Sequence, residues 1–98
     1  PLPYWSSYPE MVRLAGGKPI FIPPKEDFYI NIEEIYKNWT YKTKALLISS
    51  PINPSGNLIK QEDLEEMINL CKEKNGFLIV DESFRAYVYP PNKFFRIT

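Results

Sequence analysis

The sequence predicts an α/β segment, a three-layer arrangement around a parallel sheet whose strands are joined by right-handed βαβ crossovers. Three observations predict it. Short apolar runs alternate along the chain with stretches of helical periodicity, the order expected of βαβ units. The runs Lys44–Ser49 (KALLIS) and Phe77–Val80 (FLIV) are nearly unbroken, as in strands covered on both faces. The stretch between them is long enough to hold a crossover helix, and such crossovers are right-handed in nearly all cases.

Each element has its own justification. Ser7 followed by Glu10 forms a possible capping box. Tyr8, Met11, Val12 and Ala15 then share one helical face, and Gly16-Gly17 stops the helix. Lys18–Ile22 (KPIFI) reads as a short buried strand, with Pro19 at its entry and Pro23-Pro24 ending it. Asn31 with Glu34 is a second cap, opening a helix whose apolar face is Ile32, Ile35, Tyr36 and Trp39. The longest helix spans Gln61–Lys74, with Leu64, Met67, Ile68 and Cys71 at i, i+3, i+4 and i+7. Its acids crowd the first turns and its lysines the last, which complements the helix dipole. Asn75-Gly76 ends it. The tail from Tyr89 to Thr98, with Pro90-Pro91, reads as loop.

Composition narrows the function. The 98 residues suffice for one small domain and include 44% apolar and 15% aromatic residues, a globular balance. Twelve basic and twelve acidic residues cancel, and no basic stripe exists, so no nucleic-acid partner is expected. No apolar run is long enough to imply a membrane span. The single cysteine, Cys71, excludes an intrachain disulfide and fits a cytoplasmic location. Without histidine, the chain has no His-based catalysis of its own, and no metal site is expected. It begins at Pro1 without methionine and ends at Thr98 without a helix stop, so both ends are expected to be cuts from a longer protein.

Ligands of open parallel sheets sit outside the carboxyl ends of the strands. Two polar groups belong there. Asn53 follows the first long apolar run in the turn Asn53-Pro54-Ser55-Gly56, and Asp81 ends the second in Val80-Asp81-Glu82. Alone, the first is an ordinary turn made of turn formers, and the second a pair of solvated acids. Together they bring an amide and a carboxylate to one edge.

These motifs, with Pro3-Tyr4-Trp5-Ser6-Ser7-Tyr8-Pro9-Glu10-Met11-Val12-Arg13-Leu14-Ala15-Gly16-Gly17 before them, resemble the class I/II aminotransferases of pyridoxal-phosphate (PLP) fold type I, and most of all the aspartate-aminotransferase-like branch. The resemblance runs from Pro3 to Tyr89. It implies that residues 1–98 are part of the large, cofactor-binding domain of the PLP-dependent transferase fold. It implies transfer of an amino group between an amino acid and a 2-oxo acid, in a parent that is a homodimer. It also implies a cofactor-binding set. Asp81 would hold the protonated pyridine nitrogen by opposite charge. Asn53 would donate to the phenolic oxygen, and Trp5 would stack on the ring. The family has a cis bond at the position of Asn53-Pro54.

One position departs from the pattern. Phe84 stands where the family usually has tyrosine, so a hydroxyl near the phenolic oxygen is lost. That opens two rivals of the same fold, a PLP-dependent decarboxylase and a carbon–sulfur lyase. A non-enzymatic PLP-sensing regulator and a self-contained α/β binding module are further alternatives. The cofactor-bonding lysine of the family lies beyond Thr98. Lys93 is too close to Asp81 to take its place, and none of Arg13, Arg85 or Arg96 sits at the family's substrate-arginine position. No catalytic residue is therefore assigned, and the 98 residues alone are expected to be inactive and to expose apolar surface.

Overall fold

The computed structural model describes residues 1–96. The predicted tail loop is borne out from Tyr89 to Arg96, where no helix or strand forms. Its last two positions, 97 and 98, lie outside the described residues.

Three α-helices and two strands form, in the order α1 (Tyr8–Leu14), α2 (Ile32–Asn38), β1 (Ala45–Ser49), α3 (Gln61–Glu73) and β2 (Phe77–Asp81). The strands pair in parallel across α3, with Ala45 opposite Phe77 and Ser49 opposite Asp81. A parallel pair needs such a crossover, because a tight turn cannot reverse the chain twice. Two 3₁₀ turns, Glu26–Phe28 and Arg85–Tyr87, lie outside every predicted helix and strand.

The core lies on one face of the sheet. Leu46 and Ile48 of β1 meet Ile32 and Ile35 of α2 and Leu64, Met67, Leu70 and Cys71 of α3. Leu78 and Val80 of β2 pack against the same cluster. Met67 and Leu70 have no exposure at all. Burial of both sheet faces, expected from the unbroken apolar runs, is met in part: on the other face Leu47 is half-buried and Ser49 buried in β1, but β2 lies open at Phe77 and Ile79. Strand residues alternate between faces, and the alternate set includes Phe77 at 74% exposure and Ile79 at 51%. Apolarity of the run thus marks a surface suited to burial, while actual coverage depends on which elements lie against it.

The strand expected at Lys18–Ile22 does not form. No neighbouring strand lies beside the segment to complete a ladder, and Pro19 and Pro23 remove donors. One backbone bond, from the Leu2 N–H to the Ile22 carbonyl at 2.7 Å, fixes its end. Ile22 is buried, whereas Ile20 and Phe21 are exposed.

Helix termini divide between expectation and correction. The Asn31 side chain accepts from the Glu34 N–H at 3.2 Å, as its capping role requires. Ser7 makes no capping bond, so the first box is absent. Its backbone is already helical at φ −79°, ψ −17°, where a cap needs extended geometry, and Glu10 pairs with Arg13 instead. The expected apolar face of α1 is also reduced: Tyr8 is buried, but Met11 is exposed. α1 stops where predicted, with the Gly16 and Gly17 N–H groups donating to the carbonyls of Arg13 and Val12.

Gly76, between α3 and β2, has a packing reason to be glycine. A Cβ there would lie 2.6 Å from the Trp39 ring. Gly76→Ala should destabilise the chain by about 1–3 kcal/mol through overpacking. The urea midpoint should fall, and Trp39→Ala in the same background should return part of the loss.

Candidate functional site

The carboxyl ends of β1 and β2 meet as the topology requires. Past Ser49, the Ser50 N–H donates to the Asp81 carbonyl at 3.0 Å and extends the pairing by one step. The chain then turns through Asn53-Pro54-Ser55-Gly56. The Ile52 carbonyl accepts from the Gly56 N–H at 2.7 Å, and the Ile52 N–H donates to the Asn57 carbonyl at 2.8 Å. Gly56 sits at φ +76°, a conformation that costs a side chain steric strain. The Asn57 side chain donates to the Asp27 carbonyl at 2.6 Å, tying this turn to the loop before α2. The Asn53-Pro54 bond is cis.

Asp81 is half-buried and firmly held. Its Oδ1 accepts from the Ser83 N–H at 2.9 Å and from the Ser83 hydroxyl at 2.5 Å. Its Oδ2 accepts from the Tyr8 phenol at 2.5 Å. The Ser83 hydroxyl, then the Tyr8 phenol, hold this carboxyl below the usual carboxylate range. An ionised carboxylate has roughly four acceptor positions. Ser83 fills two on Oδ1 and Tyr8 one on Oδ2, so Oδ2 retains one for a further donor.

Asn53 is half-buried in an open groove of about 360 Å³, which Ile52, Leu58, Phe84, Tyr87 and Asn92 also line. Among the described residues its side-chain amide makes no hydrogen bond, which leaves it free to donate. Trp5 is 46% exposed, just before α1, and its ring stands edge-on to Tyr8, with centroids 5.8 Å apart and planes at 88°. Asp81 thus shares contacts with α1, the element that follows Trp5, while Asn53 lies on the turn after the neighbouring strand. Lys93 is exposed. Phe84 lies against Tyr87, with centroids 6.2 Å apart.

Tyr8 was legible only as an apolar helix residue. Its contact with Asp81 bridges 73 positions, and no local spacing announces such a pair. Burial, followed by the bond to Asp81 and its charge, pushes the Tyr8 phenol up to about 12 from its ordinary 10. The neutral phenol is therefore favoured by folding. That stabilisation is complete below pH 10 and is lost as pH rises through about 12. A titration followed by tyrosinate absorbance should show one of the seven tyrosines ionising last, and Tyr8→Phe should remove that component.

Among the described residues no group of three or more acidic or cysteine side chains could hold a metal ion.

Comparison with known proteins gives one consistent picture. The family described as aminotransferase class I and II matches residues 1–97. The chain is similar to an aspartate aminotransferase of Pyrococcus abyssi, 41% identical over 99% of this chain and 25% of that protein. It is similar to a probable aspartate/prephenate aminotransferase of Aquifex aeolicus, 38% identical over 96% of this chain and 24% of the relative. Among solved structures, an aromatic aminotransferase from Pyrococcus horikoshii superposes with a TM-score of 0.92 at 38% identity, covering 98% of this chain and 26% of that one. The chain thus spans about a quarter of the length of the relatives it matches.

Proposed function

Because the chain belongs to the class I and II aminotransferase family, we propose that the full-length protein is a PLP-dependent aminotransferase, moving an amino group from an amino acid to a 2-oxo acid. The observation that carries this reading is Asp81: ionised, fixed on three sides, and with one acceptor position left at the carboxyl end of a parallel pair. That open acceptor position fits a pyridine nitrogen that must keep its proton. When bound, PLP supplies an electron sink for the carbanion formed beside the amino nitrogen.

The residues of this chain have separate tasks. Asp81 holds the proton on the ring nitrogen. Asn53 donates from its free amide to the phenolic oxygen. Trp5 covers a ring face and keeps water from it. Phe84 supplies an apolar wall to the Asn53 groove without adding a donor. These residues make residues 1–98 part of the cofactor-binding domain. The 98 residues by themselves are expected to be inactive.

We further propose a cytoplasmic homodimer. Free Cys71 and the exposed apolar sheet face support this reading. Among the described residues no helix is long and apolar enough to cross a membrane.

The test is a half-reaction. Full-length protein loaded with PLP is mixed with single amino acids in the absence of a 2-oxo acid, and the product is identified. The relatives' names point to aspartate and the aromatic amino acids as the first panel. Pyridoxamine phosphate should accumulate. Release of carbon dioxide or sulfide with PLP intact would instead favour a decarboxylase or lyase, the second reading that Phe84 supports.

A further inference from the structure

Tyr8 touches two of the three residues assigned to the cofactor. Its phenol donates to Asp81 Oδ2 at 2.5 Å, and its ring receives Trp5 edge-on at 5.8 Å. Its backbone N–H also donates to the Trp5 carbonyl at 3.0 Å. It is 9% exposed, so it has little freedom to move between these contacts. Pro9, the next residue, is buried beside it at the start of α1.

The geometry of Asp81 makes this contact decisive. Ser83 holds one oxygen through two bonds but leaves the carboxylate free to tilt about that oxygen. The phenol of Tyr8 anchors the other oxygen. With both fixed, the remaining acceptor position on Oδ2 keeps one direction.

We propose that Tyr8 is a positioning residue that sets Asp81 and Trp5 together, its phenol aiming the carboxylate at the ring nitrogen and its ring setting the plane of the stacking indole. This inference rests on the PLP reading above. A plain structural role would also place a buried tyrosine here with its hydroxyl satisfied. The two differ in what the phenol does beyond stability. The positioning role makes PLP affinity depend on the phenol, and only while Asp81 is a carboxylate.

Two variants separate the contacts. Tyr8→Phe keeps the ring against Trp5 and removes the bond to Asp81. Tyr8→Leu removes both. In the full-length protein, PLP affinity is measured by equilibrium titration, and the Asp81 carboxyl is titrated in the PLP-free protein by carbon-13 NMR. Tyr8→Phe should raise the Asp81 pKa and weaken PLP binding on the order of tenfold, the scale of one charge-assisted hydrogen bond. Tyr8→Leu should weaken it further and shift the Trp5 emission. In the Asp81→Asn background, Tyr8→Phe should weaken binding much less, because the two changes act through one contact.

Wild-type protein that binds PLP, with Tyr8→Phe binding equally well and Asp81 titrating unchanged, overturns the positioning role alone. Equal losses from Tyr8→Phe with and without the Asp81 carboxylate do the same. Wild-type protein that fails to bind PLP overturns the cofactor reading, and the positioning role with it.

Discussion

Asp81→Asn in the full-length protein should lower kcat/KM for transamination by about 10²–10³, the range seen when one preorganised electrostatic group is removed. Asparagine has nearly the same shape as aspartate. It carries no charge, however, and its amide nitrogen cannot accept from Tyr8 or Ser83. The variant therefore loses the opposite charge that keeps a proton on the ring nitrogen and loses part of the clamp. Steady-state kinetics with the best amino donor checks this, with a urea melt to show that folding persists. Near wild-type turnover in a folded variant would remove Asp81 from the site.

Leu70→Ala has the largest expected effect on stability. Leu70 is fully buried on α3 among Ile35, Leu46, Met67 and other core residues. Deleting its branched side chain removes buried apolar contact and leaves a cavity, at a cost of about 2–5 kcal/mol. Small domains have total stabilities of only about 5–15 kcal/mol, so much of the chain should unfold at moderate urea. Leu14 is the control. It is 89% exposed at the end of α1, and Leu14→Ala should change stability by no more than about 0.5 kcal/mol. Equal urea midpoints for the two variants would mean that the core does not lie where the burial pattern places it.

Much of this fold was written in local pattern. The period of Leu64, Met67, Ile68 and Cys71 marked α3, and the dense apolar runs marked both strands. Leu70 completes the core on the same helix but falls outside that four-residue series, so the series understated the buried face. The capping role of Asn31 needed only a side-chain acceptor three residues before a free N–H. Ser7 offered the same spacing to a glutamate, yet its backbone entered the helix too early to cap it. Lys18–Ile22 had strand composition but no partner, and a ladder is a property of two segments. At the site, Asn53 and Asp81 were legible because strand ends fix which edge they share. Tyr8 was not, because its role arises from a contact between distant segments.

The same distance has a kinetic side. α3 and its contacts with β2 involve neighbours in sequence, and such contacts form early because little chain entropy is lost in closing them. Pairing β1 with β2 must close the whole crossover, and the Tyr8–Asp81 bond closes a loop of 73 positions. Refolding should therefore regain helical circular dichroism before the tyrosine–carboxylate contact is made. During that interval the segment is folded in its helices but unable to hold a cofactor ring, so PLP added to the refolding full-length protein should be captured in a slower phase than the one that restores the helices.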